Sequence, residues 1–407
     1  MRTAFLCFWL TGCAGREVLD EIPKDFILSW GESETVPEEE AVEETEMPPR
    51  EEEPAECFLM EEASSYAYKS LSEAERAWYR DMEQILGGFR EEGALGRAGL
   101  EGGLDDSSID KIFQCVLSDH PELFYVEGYS YVKYAIGNKI TAVNFSGTYS
   151  MDLETAVARR EEIRAAVEVL VAGIDEEASD YEKVKYVYET LIRDTDYDLD
   201  APDNQNIYSV FVRHISVCQG YAKATQYLLN LLGVECTLVL GTVESGEGHA
   251  WNLVKVDGEY YYVDTTWGDV SYRTEGILSG EEGDIAMPEI NYDYLNVTTE
   301  ELLRTHAIGG EVPMPLCTAR TANYYVKEGA YFTSYDSEQM EALFQKAADN
   351  GPNGITVKCA DAACYEEVLG TLIDDQEIFR YLPEGESRIA YAQNEKQLSM
   401  TFWVTNE

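Results

Sequence analysis

The dipeptide Asp257-Gly258 most constrains the fold of this chain, because it separates two stretches with the composition of β-strands. Asp-Gly in a two-residue loop is a strong hairpin signal, since both turn residues need positive φ angles. We therefore predict a strand over residues 249–256, a tight turn, and a returning strand over residues 259–265. A turn of two residues also fixes which residues face each other along the whole pair.

This register brings two titratable side chains together. It places Trp251 opposite Asp264 and His249 opposite Thr266. Alternate residues of a strand share a face, and so do opposed residues, which makes His249 and Asp264 diagonal neighbours on one face. Diagonal neighbours lie about 7 to 8 Å apart at the backbone, so their side chains can meet. A turn of three residues would shift the pairing, and His249 and Asp264 would then no longer share a face.

A cysteine upstream of the hairpin stands at a predicted helix start. Residues 219–232 (QGYAKATQYLLNLL) place apolar side chains at helical spacing, and Gly233 supplies a stop signal. Cys218 is therefore at or near a helix N-terminus, where unpaired backbone N–H groups and the helix dipole favour thiolate over thiol. The position suggests a nucleophile, and the alternative for Cys218 taken alone is an ordinary buried thiol.

Together these residues have the chemistry of a catalytic triad. Cys218 would be the nucleophile, His249 the general base and Asp264 the group that orients the base, with backbone N–H groups near the cysteine stabilising an oxyanion. His214 is the competing base, but it lies in a loop and has no carboxylate partner at hairpin spacing. His120 precedes a proline and is interpreted as a turn residue outside any polar cluster.

The segments VCQGYAKA and HAWNLVKVDGEYYYVDTTW resemble the transglutaminase-like superfamily, which includes many secreted bacterial proteins. The resemblance covers about residues 179–306. It implies an α+β fold of the papain-like type, in which a helix that carries the cysteine packs on an antiparallel sheet. It also implies a catalytic triad in the order Cys218, His249 and Asp264.

Further residues near these motifs are candidates for oxyanion stabilisation or cleft support. Asn252 and Trp267 fit family positions beside the histidine and after the aspartate, where a structural role is the alternative. No single side-chain oxyanion donor stands out among the candidates. The complete set is Gln219, Gln205, Tyr208, Asn252, Trp251 and Trp267.

Aspartates alternate over residues 194–200 and superficially suggest a calcium loop. An EF-hand counted from the first of them requires Gly at its sixth position and Glu at its twelfth, which are here Leu199 and Gln205. The resemblance instead implies that residues 194–208 are the family's aspartate-tyrosine segment. The cysteines also lack zinc-site spacing. We therefore predict no metal and no other cofactor.

The net charge of the chain limits its binding partners, and the first residues predict its cellular location. The net charge of −48 would repel nucleic acid and anionic lipid, so we expect no nucleic-acid partner. Residues 1–13 resemble a bacterial lipoprotein signal with Cys13 as the lipidated residue, although a start codon upstream of Met1 stays open. No other stretch approaches the ~20 apolar residues of a membrane helix. We expect a cell-surface lipoprotein whose membrane contact is only the N-terminal lipid.

We divide the chain into five segments by composition and periodicity. The segments are a lipoprotein-type signal at 1–13, an acidic disordered tether at 14–64, an N-terminal α+β domain at 65–150, a transglutaminase-like domain at 151–316, and a C-terminal α+β domain at 317–407.

Local patterns predict individual elements within these segments. Capping-box spacing at Ser72, Ser179 and Thr298 predicts three helix starts. Aromatic and β-branched residues over 123–134 and 139–149 predict an antiparallel pair. The elements predicted for the last segment are a strand at 323–333, a helix at 337–347, a strand at 354–359, a helix at 362–373, and strands at 388–393 and 398–404.

The function predicted from these features is an exported, cysteine-dependent acyl transfer on peptide or protein amides through a Cys218 thioester. Hydrolysis by a peptidase or amidase and transfer to an amine, as in a transglutaminase, differ only in the acceptor and both stay open. The alternative is a cell-surface binding protein that keeps the fold without catalysis. The expected partner is a protein or peptide substrate, and the oligomeric state is not set by the sequence.

Overall fold

The structure is a computed structural model that describes most of the chain beyond residue 57. The described residues are 4–8, 58–61, 64–136, 139–269, 289–350, 355–382 and 389–404. Cys13 and most of the predicted tether at 14–64 lie outside them. The lipoprotein signal therefore stays a prediction.

The N-terminal elements are four helices of 5 to 15 residues and a four-stranded sheet. In chain order they are β1 (Ala4–Phe8), α1 (Tyr66–Ser70), α2 (Glu73–Gly87), β2 (Gly93–Leu95), α3 (Arg97–Glu101), α4 (Asp106–Asp119), β3 (Val126–Ile136) and β4 (Lys139–Tyr149). The sheet order is β1-β3-β4-β2. Strands β3 and β4 pair antiparallel, which confirms the prediction for this region.

The middle of the chain has helices on an antiparallel sheet. Its elements are α5 (Leu153–Val171), α6 (Asp180–Asp194), β5 (Asp196–Tyr197), α7 (Ile207–Phe211), β6 (Ile215–Ser216), α8 (Cys218–Leu231), β7 (Cys236–Val243), β8 (Gly248–Val256), β9 (Glu259–Val263), α9 (Thr265–Gly268), a 3-10 turn (Tyr292–Tyr294), α10 (Thr299–Leu302) and β10 (His306–Ile308). The main sheet has the order β10-β7-β8-β9.

The three predicted capping boxes are all present, at the starts of α2, α6 and α10. In each, the side chain of Ser72, Ser179 or Thr298 accepts from the backbone of the third helical residue, whose carboxylate accepts from the cap N–H. These reciprocal bonds satisfy two backbone donors that a helix start otherwise leaves unpaired.

The predicted hairpin forms with the predicted register. Asp257 and Gly258 have φ angles of 52° and 87°, and Val256 pairs with Glu259. The returning strand, however, ends at Val263 and does not reach residue 265. The pairing predicted between His249 and Thr266 is therefore wrong, because α9 begins directly after Asp264.

The cysteine-bearing helix α8 packs on the sheet, which confirms the α+β fold class. Ala222 of α8 lies in one apolar cluster with Leu238 of β7 and Ala250 of β8. The Asn252 side chain of β8 donates to the Ala222 carbonyl at 2.9 Å. Helix and sheet are thus joined by apolar contact and by a buried hydrogen bond.

One continuous apolar core joins the N-terminal elements to this unit. It contains Trp78 and Phe113 from the N-terminal helices together with Leu228 of α8 and Val254 of β8. Between α4 and α8, the buried Gln226 amide donates to a backbone carbonyl of α4. The predicted boundary between residues 150 and 151 stays a prediction.

The last part of the chain has its own apolar core and sheet. Its elements are α11 (Tyr324–Glu328), β11 (Tyr331–Phe332), α12 (Ser337–Asn350), β12 (Ile355–Cys359), α13 (Ala362–Leu369), a π-helical turn (Gly370–Asp374), a 3-10 turn (Glu377–Arg380), β13 (Ile389–Asn394) and β14 (Ser399–Val404). The core lies between Phe332 and Phe402 in the sequence, and the sheet order is β11-β12-β14-β13.

One prediction for this part is wrong. Residues 323–333 form α11 followed by the two-residue strand β11, not one long strand. The Asn323 side chain accepts from Tyr325 N and caps the helix, while Gly329 ends it with a φ angle of 76°. Aromatic composition favoured a strand, but these two terminal signals outweigh it.

A buried carboxylate attaches this part to the central unit. Asp293 accepts hydrogen bonds at one oxygen from Tyr325 and Lys358 and at the other from Asn394 and Ser399, over distances of 2.6 to 3.3 Å. Because a buried charge requires such compensation, these residues hold the C-terminal sheet against the 3-10 turn.

His120 is part of a buried polar cluster, so the prediction of an isolated turn residue is wrong. Its ring nitrogens lie 2.8 Å from Glu122 and 2.9 Å from Glu83. Burial alone would lower the pKa of His120, but the two carboxylates raise it to about 10. The histidine is therefore a buried cation between two acids.

None of the helices in the described part of the chain has the length and hydropathy needed to span a bilayer.

Replacing His120 tests this cluster through the pH dependence of stability. Because the folded pKa is about 10 and the ordinary value is 6.5, the stabilisation is complete below pH 6.5 and is lost as the pH rises towards 10. We expect His120→Gln to lower the free energy of unfolding by roughly 3 kcal/mol near pH 6, and by progressively less between pH 7 and 10. Urea unfolding at several pH values measures this difference, with exposed His214→Gln as the control. A pH-independent difference would contradict the assignment.

Candidate active site

The loop before α8 holds Cys218 in place through one backbone carbonyl. The Asn204 carbonyl accepts from Val217 N at 3.1 Å and from the Ser216 hydroxyl at 2.7 Å. Val217 is the N-cap residue of α8, so the cysteine is the first helical residue. Cys218 is buried at this helix start, where the positive end of the dipole favours a thiolate.

Gly220 is required by the close approach of this loop to the helix. A Cβ atom at residue 220 would lie 1.9 Å from the Ser216 hydroxyl oxygen and 3.1 Å from the Asn204 carbonyl oxygen. A larger residue would displace the loop from the first turn of the helix. The glycine two residues after the cysteine is thus explained by packing.

The contacts of α8 bring its first turns to the beginning of β8. Ala222, one turn after Cys218, packs on Ala250, the neighbour of His249. Further along α8, the Thr225 hydroxyl lies 2.9 Å from that of Thr265, directly after Asp264. The three predicted catalytic residues therefore lie on elements that pack directly against one another.

The predicted contact between base and orienting group is present. Nε2 of His249 lies 2.8 Å from Oδ2 of Asp264, and both side chains are buried. An ionised carboxylate only accepts hydrogen bonds, so Nε2 carries the proton. Nδ1 of His249 is then the ring nitrogen whose lone pair can accept a proton.

Asp264 also shapes the backbone around itself. Its Oδ1 accepts from Trp267 N at 3.0 Å and so caps α9. Burial alone would raise the pKa of Asp264, but the charge of His249 and hydrogen bonds from His249 and His306 hold it well below its usual range. The carboxylate is therefore ionised across the neutral pH range.

His306 is the residue at this site that the sequence reasoning missed. Its Nε2 lies 3.0 Å from the same Oδ2 of Asp264, and its Nδ1 lies 2.8 Å from the Thr305 hydroxyl. It opens β10, which pairs with β7 at the edge of the sheet. The available signal was weak: a histidine at the end of the family resemblance, after the capped helix α10.

Aromatic rings enclose the two histidines. The His249 ring centroid lies 5.8 Å from Trp251 and 6.1 Å from Trp267, and His306 lies 4.7 Å from Trp267. Tyr294 lies 5.6 Å from His306. Because these rings exclude water, the interactions of Asp264 act at lower effective dielectric than on the surface.

The same three side chains are a possible metal ligand set. Among the described residues, ligand atoms of His249, Asp264 and His306 lie within 4.8 Å of one another. Both histidines, however, already direct Nε2 at one carboxylate oxygen at hydrogen-bond distance. A divalent ion would have to replace both protons and thereby break the hydrogen bonds that hold the two rings on Asp264.

Asn252 and Trp251, two of the residues predicted to support the cleft, form contacts that hold the fold together. Asn252 donates to the carbonyls of Ala222 and Thr237, and thereby links helix and sheet. Trp251 is fully buried beside His249 in a cluster with Val239. Trp251 therefore forms a wall of the histidine site, as Trp267 does on its other side.

The remaining candidates lie elsewhere. The Tyr208 hydroxyl donates to the exposed Glu162 of α5 at 2.6 Å, which turns it towards the surface. Gln205 and Gln219 line a cavity of about 370 Å³ beside the start of α8. His214 is exposed, with Nδ1 at 3.0 Å from the Asp194 carbonyl oxygen, and does not reach Asp264.

Comparison with known proteins confirms the resemblance. Residues 168–265, which include Cys218, His249 and Asp264, match the model of the transglutaminase-like superfamily. The chain is 28% identical to kyphoscoliosis peptidase of Mus musculus over 130 residues, which are 28% of this chain and 20% of that protein. For the Homo sapiens protein the identity is 28% over 30% of this chain and 22% of that protein. The chain thus spans about a fifth of these relatives.

Solved structures with similarity include a transglutaminase at 18% identity. The alignment covers 39% of this chain and 46% of that one, with a TM-score of 0.25. A candidate cysteine protease from Cytophaga hutchinsonii is 10% identical over 33% of this chain and 61% of its own, with a TM-score of 0.23. The family match supports a cysteine enzyme in a general sense and leaves the reaction open.

Replacing Asp264 tests the role of the shared carboxylate. In Asp264→Asn, the amide nitrogen cannot accept hydrogen bonds, and the buried counter-charge of the imidazolium is lost. We expect the rate at which iodoacetamide alkylates Cys218 at pH 6 to fall roughly 100-fold, because an ordinary thiol is almost fully protonated at that pH. Asp269→Asn is the control, since its amide oxygen still accepts from Tyr221. Unchanged alkylation in a folded Asp264→Asn protein would contradict the role.

Replacing His306 separates positioning from packing. His306→Leu removes one donor to Asp264, so the pKa of Asp264 is expected to rise. The acid limb of the pH–rate profile for Cys218 alkylation should then move to higher pH. His306→Gln keeps an N–H donor and should shift the limb less. Identical acid limbs in both variants and in the unmodified chain would contradict a positioning role.

Proposed function

We propose that this chain is an exported cysteine-dependent enzyme that transfers acyl groups from peptide or protein amides through a thioester on Cys218. The observation that supports it most directly is the buried hydrogen bond of 2.8 Å between His249 and Asp264. It leaves Nδ1 of His249 as the base, beside a helix that begins with a cysteine.

The first half-reaction forms the thioester. The Cys218 proton moves to Nδ1 of His249, and the thiolate attacks the amide carbon, forming a carbon–sulfur bond. Backbone N–H groups of the first turn of α8 stabilise the resulting oxyanion. When the intermediate collapses, the carbon–nitrogen bond breaks and the imidazolium gives its proton to the leaving amine.

The second half-reaction releases the acyl group. Water or a primary amine gives a proton to Nδ1 of His249 and attacks the thioester carbon. The carbon–sulfur bond breaks, and the proton returns to the Cys218 sulfur. Water yields a carboxylic acid, as in a peptidase or amidase, and an amine yields a new amide, as in a transglutaminase. We propose that a lipid on Cys13 holds the enzyme at the cell surface, facing its protein substrates.

The other described cysteines provide a low background for tests of Cys218. The structure has free thiols at Cys115, Cys218, Cys236, Cys317, Cys359 and Cys364. Burial raises the pKa of Cys115 to about 12 and that of Cys317 to about 11. Burial also raises the pKa of Cys236, Cys359 and Cys364. At pH 6 these residues are protonated and react slowly.

Chemical trapping tests the nucleophile and the base. We expect iodoacetamide at pH 6 to modify Cys218 at least about 10-fold faster than the other described cysteines. His249→Ala should abolish this advantage, whereas His214→Ala should retain it. Peptide mapping by mass spectrometry measures each site. Equal reactivity of Cys218 in the unmodified and His249→Ala chains would contradict the proposal.

Product analysis then separates the acceptors. The full chain is incubated with a protein acyl donor such as casein, with and without a fluorescent primary amine. Incorporated amine indicates transfer, and new carboxylic acids or chain cleavage indicate hydrolysis, with Cys218→Ala as the blank. Absence of all these products would contradict acyl transfer and support the binding alternative.

A further inference from the structure

The cavity beside the start of α8 is not used by the chemistry described so far. It has a volume of about 370 Å³, within the range of small-ligand pockets. Its apolar wall comes from the end of α4 and from β3, and its polar wall from α8 and the loop before α7. The lining residues are Leu117, Phe124, Val126, Glu127, Ser150, Asp203, Asn204, Gln205, Asn206, Gln219 and Lys223.

Two residues of α8 connect this cavity to the nucleophile. Gln219 directly follows Cys218, and Lys223 lies one turn further along the same helix face. Lys223 follows Cys218 by five residues, which is a rise of about 7.5 Å along the helix axis. Because an extended peptide advances about 3.3 Å per residue, this span corresponds to roughly two substrate residues.

Lys223 has no counter-ion within the part of the chain that the structure describes. It is partly buried, and burial lowers its pKa to about 8 with no carboxylate opposing the shift. Of the acids in the wall, Asp203 is 2.7 Å from Arg159 and also accepts from Asn206. Glu127 is exposed and forms no ion pair with Lys223. A cation without a counter-ion is notable in a chain with a net charge of −48.

The side-chain amides that line the cavity differ in whether they form hydrogen bonds within the protein. Those of Asn204 and Asn206 are used within the loop, where they donate to Asp198 and Asp203. No described residue forms a hydrogen bond with the side-chain amide of Gln205 or Gln219, although both line the cavity. One ammonium group and two amide N–H donors therefore share a pocket, a donor set that suits a carboxylate.

We propose that this pocket binds a carboxylate of the peptide substrate, about two residues from the acyl group that Cys218 attacks. Lys223 supplies the charge, and Gln219 and Gln205 supply N–H donors. The carboxylate comes from an acidic side chain or from the end of the substrate chain. This inference rests on the proposed function and adds a substrate class to it.

The first test measures binding to the full chain carrying Cys218→Ala, which cannot turn over. The probes are short peptide amides that contain Glu or Gln two residues from a central glutamine, and the same Gln peptide with a free C-terminal carboxylate. We expect the Glu peptide, the free-carboxylate peptide, or both to bind about 10-fold or more tightly than the Gln peptide amide. Which one does so identifies the source of the carboxylate.

Variants of the lysine give the matched comparison. Lys223→Met should abolish the preference for a carboxylate, and Lys223→Arg should keep it. Lys183→Met on α6 makes the same charge change outside the cavity and should leave the preference unchanged. A preference that is lost equally in Lys183→Met, or kept in Lys223→Met, would overturn the proposal.

A second readout needs no variant of Lys223. Acetylation of lysines at pH 7.5, mapped by mass spectrometry, should label Lys223 readily, and the bound carboxylate peptide should protect it. The Gln peptide amide should not protect Lys223. If no carboxylate peptide exceeds the Gln peptide amide in binding or in protection, the pocket proposal fails. Loss of Cys218 reactivity in the separate alkylation experiment would instead remove the acyl-transfer chemistry and leave the carboxylate preference measurable.

Discussion

The site depends on the hydrogen bonds that surround the buried carboxylate of Asp264. An ionised group that is 1% exposed is stable only with charge-assisted donors around it. His249, His306 and the Trp267 backbone supply those donors, and each comes from a different element: β8, β10 and α9. The hydrogen bonds to this one charge therefore fix the ends of three elements relative to each other and orient the imidazole ring of His249.

The cysteine is positioned by a separate set of contacts. The Asn204 carbonyl holds the loop before α8, and Gly220 allows that loop to approach the first turn. Packing of Ala222 on Ala250 then sets this turn against β8. Since α8 also lies in the core that contains the N-terminal helices, the helix that carries Cys218 is supported from both sides. The cavity with Lys223 lies at this same junction, where N-terminal residues complete one of its walls.

Local physics explains where prediction from sequence worked and where it failed. Capping boxes and the Asp257-Gly258 turn depend on a few adjacent residues, so helix starts and the hairpin register were predicted correctly. The end of β9 was missed because Asp264 is both the partner of His249 and the cap of α9. Residues 324–328 form α11 and not the predicted strand because the Asn323 cap outweighs their aromatic composition.

The sequence by itself placed Cys218 at or near the start of α8 and brought His249 to Asp264, because helical periodicity and two-residue turns act within short stretches of chain. Only the tertiary structure decided that His306, 42 residues from Asp264 along the chain, shares the same oxygen. It also decided that Lys223 faces a cavity lined from α4 and β3. Both depend on elements that meet through long-range packing, for which the sequence carries no local periodicity or spacing.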